Sequence, residues 1–174
     1  MLRARGREPD AFRPLVARYD RRLLYYIGRI LGRQADCEDV LQEVWIKVYL
    51  RINSLRAPEA FRVWLYKIAH DVAISHLRKR GITEASVVDD EAVEEIADKD
   101  TTNELELLDR AESVHVALKS MSLPHREVLT LRFLEDLDLA GISEVVGCTI
   151  GTVKSRLHYA KVAIRKRLEE MSHE

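Results

Sequence analysis

Lys154, Ser155, Arg156 and His158 fall within one short run of helical spacing, and each can donate hydrogen bonds to phosphates or base edges. The run is Val145-Val146-Gly147-Cys148-Thr149-Ile150-Gly151-Thr152-Val153-Lys154-Ser155-Arg156-Leu157-His158. A short apolar helix closes at Val145 and Val146, Gly147 supplies the stop, and Thr149 or Thr152 caps the next helix. Ile150, Val153, Leu157 and Ala160 recur at the spacing that faces a core. Thr152, Lys154, Ser155, Arg156, His158 and Lys161 take the other side. From Thr149 to Arg167 there are six basic residues and no acidic one. A helix with a packed stripe and a basic remainder suits the DNA major groove, which makes the run a helix-turn-helix.

Other chemistry is sparser. Asp39 and Glu43 stand one turn apart, as an acid/base pair could, but solvated carboxylates or a docking face for a basic partner explain them more simply. No phosphate-cradling glycine motif or nucleophile elbow is present. The six histidines show no metal-ligand spacing, and Cys37 and Cys148 lie too far apart to form a sequence clip. No enzyme, cofactor, metal or small-molecule substrate is expected. Arg62, Trp64, Tyr66, Lys67, His70, Ser75, His76, Arg78 and Lys79 interleave donors with aromatic rings, a pattern suited to single-stranded DNA. Trp64 itself lies on an apolar stripe and is assigned to the core; Trp45 is core or partner-facing.

Charge organises the chain more sharply than its net value of −1. Residues 1–80 hold 17 Lys/Arg against 9 Asp/Glu, residues 81–113 hold 2 against 12, and residues 114–174 hold 9 against 8. Two nucleic-acid modules joined by an acidic strip fit this distribution. No apolar run reaches membrane-spanning length and no signal peptide is recognisable, so the expected location is the cytoplasm.

The elements that must position these residues are helical throughout. Phe12, Leu15, Val16, Tyr19, Leu23, Tyr26, Ile27, Ile30 and Leu31 step by threes and fours to a stop at Gly32. Asp36 is placed to cap a second helix, packed through Val40, Leu41, Val44, Trp45 and Val48. Pro58 opens a third, from about Glu59 to Arg80, packed through Phe61, Trp64, Leu65, Ile68, Ala69, Val72 and Leu77, and ended by Gly81. From 81 to 103 the period is lost, as in a flexible linker, with a short acidic helix at Asp90–Ala97 as the alternative. Its reach is roughly 75 Å at ~3.3 Å per residue. Leu105, Leu108, Ala111, Val114, Leu118 and Met121 then line one helix. Pro124 opens the next, and Leu139–Val146 precedes the basic helix. The fold class is all-α, two small helical domains at 1–80 and 104–174 around a linker at 81–103.

Four motifs carry a family resemblance. Asp36-Cys37-Glu38-Asp39-Val40-Leu41-Gln42-Glu43-Val44-Trp45-Ile46-Lys47-Val48-Tyr49 resembles the polymerase-binding segment of bacterial sigma factors. Ala60-Phe61-Arg62-Val63-Trp64-Leu65-Tyr66-Lys67-Ile68-Ala69 is similar to the promoter-melting segment that follows it. Leu123-Pro124-His125-Arg126-Glu127-Val128-Leu129-Thr130-Leu131-Arg132-Phe133 and Gly151-Thr152-Val153-Lys154-Ser155-Arg156-Leu157 resemble the fourth sigma region. The order and the two-domain layout resemble the extracytoplasmic-function (ECF) group of the sigma-70 family.

That resemblance implies roles. Asp39, Gln42, Glu43 and Trp45 would dock on the β′ clamp of core RNA polymerase, and the second domain would meet the β flap. Asn53, Ser54, Leu55 and Arg56 would capture an unstacked minus-ten base, with Arg62, Lys67, Arg78 and Lys79 on the melted strand; extruding a base costs a few kcal/mol. Lys154, Ser155, Arg156, His158, Tyr159 and Lys161 would read or flank the minus-thirty-five duplex, with Arg132 and Thr152 on phosphates. Partners are then polymerase, promoter DNA and an anti-sigma factor that can hold the protein at a membrane. With no long extension after the basic helix, regulation by an added domain is not expected. Two departures stand out: Gly141 replaces the usual charged residue, at ~1 kcal/mol in a helix interior, and Thr149 replaces a common proline. The competing class is a stand-alone helix-turn-helix regulator whose N-terminal bundle senses or dimerises.

Overall fold

The computed structural model describes residues 9–32, 36–55, 57–81, 118 and 121–172. Among these no strand occurs, and no helix is long and apolar enough to cross a membrane. The expected linker beyond Gly81, the alternative acidic helix, most of the Leu105–Met121 stripe and Arg56 lie outside the described residues.

Three helices build the first bundle: α1 (Pro9–Leu31), α2 (Cys37–Arg51) and α3 (Phe61–Lys79). Each packs on the other two, because each carries one apolar stripe at helical period. Leu23, Tyr26, Ile27, Val44, Val48, Leu65 and Ala69 are fully enclosed. Gly32 and Gly81 end α1 and α3 at φ +66° and +72°, where a side chain would strain the backbone. Two 3₁₀ turns, Ile52–Ser54 and Pro58–Ala60, join α2 to α3, so α3 begins at Phe61 rather than Glu59. Asp36 holds the N-cap position of α2, and its carbonyl accepts from the Val40 amide at 3.1 Å. Its side chain makes no cap bond; it instead takes the Arg80 guanidinium and lies 3.8 Å from His76 Nε2. Pairing with a cation at the end of α3 outcompetes a local amide here.

The second module contains α4 (Leu123–Leu129), a π-helical turn (Thr130–Leu134), α5 (Leu139–Val146) and α6 (Ile150–Ser172). Asp138 caps α5 by accepting from the Gly141 amide at 2.7 Å, and Gly147 ends it at φ +69°. Thr149 Oγ1 then accepts from the Thr152 amide at 3.1 Å, so the first of the two threonine candidates is the cap. α6 packs on α4 and α5 through Val153, Leu157 and Ala160.

The modules do not stand apart. α5 packs along α3 and α4 against α1, so one apolar core runs through both bundles. Gly141 is buried at the crossing. A Cβ there would come within 2.9 Å of Val63 Cγ2, so the glycine permits an approach that any side chain would block.

Candidate nucleic-acid interface

On α6 the basic run presents a ridge. Gly151, Lys154, His158, Val162 and Arg165 are exposed at steps of three and four, the spacing of one helix face. Exposed His158 meets half-buried Tyr159 edge-to-face at 5.6 Å between ring centroids. Ser155 Oγ donates to the Thr152 carbonyl at 3.0 Å. Thr152 Oγ1 lies 2.9 Å from Thr149 Oγ1, so both hydroxyls are partly committed to the helix start. Lys161 leans over the Phe133 ring at 5.5 Å.

Arg156 lies beside the exposed ridge. It is half-buried, and its guanidinium reaches Cys148 Sγ at 3.9 Å. Burial first, and Arg156 second, hold the His125 imidazole below its ordinary range. Arg156 thus also touches the motif's turn, at the same half-buried level as Ser155 and Tyr159. Arg132 is exposed and donates to the Leu137 carbonyl at 3.1 Å.

The face on α2 is acidic and apolar together. Asp39 and Gln42 are exposed and Glu43 half-exposed. Lys47 sits 2.8 Å from Glu43, and its hydrogen bond holds that carboxyl below the usual carboxylate range. Ile46 and Leu50 continue the same side at 55% and 57% exposure. Sequence reasoning missed these two, although they follow Gln42 at four-residue steps and fall off the packed stripe. Trp45 is half-buried against the bundle, where it donates to Asp20 at 2.9 Å and meets Phe12 edge-on.

The loop between α2 and α3 shows Asn53 and Ser54 to solvent, with Ser54 donating to the Arg51 carbonyl at 2.7 Å. Leu55 is corrected: at 6% exposure it is a core anchor beneath the loop, not a DNA contact, because an apolar side chain gains more from burial there than from facing water. Arg78 and Lys79 are exposed at the end of α3. Arg62 and Lys67 are half-buried in this arrangement. Lys67 bridges Asp71 at 3.1 Å and the Val145 carbonyl of α5 at 3.4 Å. The Arg62 charge bears on Glu135, and its Nε is buried without a hydrogen-bond partner.

Around them lies a buried polar seam that sequence reasoning did not foresee. Glu127 on α4 accepts from the Tyr26 hydroxyl at 2.5 Å and faces His70 Nδ1 at 2.6 Å. Glu135, after the π turn, accepts from the Tyr66 hydroxyl and pairs with Arg22 at 3.0 Å. Arg22 also donates to the Leu134 carbonyl at 2.8 Å. Burial outweighs these partners and raises the Glu135 carboxyl. Burial likewise raises both phenols, each with a carboxylate beside it. Among the described residues no cluster of three His, Cys, Asp or Glu could hold a metal ion.

Comparison with known proteins bears on both modules. Residues 15–82 match the family Sigma-70 region 2, and residues 111–164 match Sigma-70, region 4. The chain is 30% identical to the ECF RNA polymerase sigma factor SigW of Bacillus subtilis, over 94% of this chain and 92% of that protein. It is 33% identical to the RNA polymerase sigma-H factor of Pseudomonas aeruginosa, over 94% and 89%. Among solved structures, the Bartonella quintana sigma factor RpoE, crystallised with the anti-sigma factor NepR, superimposes with a TM-score of 0.69 at 22% identity, covering 91% of this chain and 97% of that one. CnrH in complex with the cytosolic domain of CnrY gives 0.64 at 20%, covering 97% and 94%.

Proposed function

The chain belongs to the sigma-70 family, in its ECF group, and from that premise we propose how its surfaces divide the work of an alternative sigma factor. Such a factor binds core RNA polymerase and directs it to a specific promoter. Residues 1–80 form the polymerase-binding and minus-ten module, 81–103 the linker, and 104–174 the minus-thirty-five module. The protein works by binding, as a dissociable initiation factor without chemistry of its own, in the cytoplasm.

The α2 face is the polymerase dock. Its carboxylates Asp39 and Glu43 suit a basic partner, while Ile46 and Leu50 supply apolar area that is worth burying at roughly 25 cal/mol per Å². Asn53 and Ser54, held up by the buried Leu55, form the rim of the minus-ten pocket. Arg78 and Lys79 steer the melted strand, with Arg62 and Lys67 joining once α3 is uncovered. The α6 ridge enters the minus-thirty-five major groove, where Lys154, Ser155, His158 and Tyr159 face bases and Arg132, Thr152 and Lys161 hold phosphates.

The observation that carries this reading is the exposed stripe Asp39, Gln42, Ile46 and Leu50. A self-contained DNA-binding regulator has no need of such a face beside a basic-aromatic helix. An anti-sigma factor that covered it would silence the protein, and a membrane-borne one would hold it at the membrane.

Run-off transcription with core polymerase on a genomic promoter library tests the assignment. Replacing Gln42 and Glu43 should abolish polymerase binding, and replacing Lys154 and His158 should spare it while weakening the upstream contact. Specific promoter binding by the isolated chain, unchanged by polymerase, would overturn the proposal.

A further inference from the structure

We propose that the outward face of α1 is a third promoter contact, an arginine ridge that grips the phosphate backbone of the duplex between the minus-ten and minus-thirty-five elements. The inference rests on the sigma-factor reading and adds a surface to it.

Every basic residue of α1 is an arginine: Arg13, Arg18, Arg21, Arg22 and Arg29. Between Arg13 and Leu31 the single acid is Asp20, and it is turned to α2, where its carboxylate accepts from Trp45. Arg13, Arg18 and Arg21 are exposed, together with the small residues Pro14 and Ala17. Among the described residues none of these three arginines is in an ion pair. Arg22, at the edge of the ridge, is paired with Glu135, and Arg29 lies over the Tyr25 ring at 4.7 Å. Like charges three and four residues apart on a helix, as at Arg18, Arg21 and Arg22, weaken it. A row kept in spite of that cost suits an anion with a regular repeat.

The chemistry of the face selects duplex backbone. Guanidinium groups match phosphate oxygens two at a time. Large exposed hydrophobic residues are found on α2, on α6 and at Leu134, and none is found on α1, so the ridge lacks the apolar centre of a protein interface. Tyr25 is half-buried with Arg29 over it, which leaves no open ring for an unstacked base. From Arg13 to Arg21 the ridge runs ~12 Å at 1.5 Å per residue, about three to four phosphate steps along one strand. The ridge also lies apart from the exposed α2 stripe and the Asn53–Ser54 loop, so polymerase and the minus-ten strand leave it free for DNA.

Holoenzyme assembled from core polymerase and the full chain, titrated onto a labelled promoter fragment at several salt concentrations, tests the ridge. Each phosphate contact contributes roughly 0.9 to the slope of log affinity against log salt. Arg13→Gln, Arg18→Gln and Arg21→Gln together should make the slope shallower by about 2–3, and Arg21→Gln alone by about 1. The loss should be the same for spacers of unrelated sequence, and the three lysine replacements should restore most of it. A spacer of uncharged methylphosphonate linkages should weaken the parent and bring its slope to that of the triple variant. Core-polymerase affinity, measured by competition, should not change. Parent and variants with equal slopes would overturn the ridge alone, and so would a variant that loses polymerase affinity while keeping its slope. Parent holoenzyme that binds promoter no better than random duplex would overturn the sigma reading itself.

Discussion

Glu127→Ala should open the closed arrangement by a calculable amount. Glu127 is the acceptor for the Tyr26 hydroxyl, and Tyr26 is fully enclosed. Truncation leaves that hydroxyl buried with no partner, which costs about 1–3 kcal/mol. His70 faces the same carboxylate with 15% of its side chain exposed; water reaching that edge can replace part of the lost oxygen, so its share is nearer ~0.5 kcal/mol. In the separated state Glu127 and Tyr26 are both free to meet water, and neither loss applies. The closed-to-open ratio should therefore fall by about 1.5–3.5 kcal/mol, roughly 10- to 400-fold. Energy transfer between the modules, followed as urea is titrated, reads that ratio directly. The control is Tyr26→Phe combined with Glu127→Leu, which removes donor and acceptor together and should recover most of the closure. Buried polar pairs replaced by apolar groups of similar shape are often near neutral. Should the double variant open as far as Glu127→Ala, or Glu127→Ala stay as closed as the parent, the hydrogen bond is not what holds the seam.

Three further outcomes follow from particular residues. Gly147→Ala should lower stability by about 1 kcal/mol in thermal unfolding, since a Cβ there meets nothing and the whole cost is the left-handed backbone at φ +69°; Gly147→Asn should lose far less. Ile46→Asp should change stability by under ~0.5 kcal/mol, because the side chain is mostly exposed, yet weaken polymerase binding about tenfold or more in a competition assay. His125 should titrate below the ordinary histidine value of 6.5 by NMR, chiefly through burial. Below 6.5 the unfolded chain binds a proton that the folded one resists, so stability falls as pH drops from there toward the folded pKa. His125→Gln should flatten that slope in denaturation at pH 5.5 against pH 7.5.

Most of the helices were legible because each bundle is built from stripes at a single period. Gly32, Gly81 and Gly147 stand where the stops were expected, with the positive φ that explains them. Polar residues were legible only where their partners are local. Asp36 has a helix start at hand and takes Arg80, 44 residues away. Glu127 and Glu135 look like ordinary surface acids, since the tyrosines that satisfy them lie 101 and 69 residues distant. Leu55 sits in a polar loop and yet anchors it from below. Gly141 was the one hint in plain sight. It breaks helix propensity without any local return, and such a residue marks a close approach by something elsewhere in the chain.

The α2 stripe is open to solvent while the α3 face beside it packs against α5, and this difference implies an order of events. On the proposed assignment, polymerase would be captured before the modules part, and the minus-ten strand would enter afterwards. Assembly would then show two phases: a docking rate that scales with polymerase concentration, and a slower first-order rearrangement that does not. Raising the supply of polymerase would fill the docked state and leave the second rate untouched, so the tempo of initiation would be written in the seam rather than in the abundance of the enzyme.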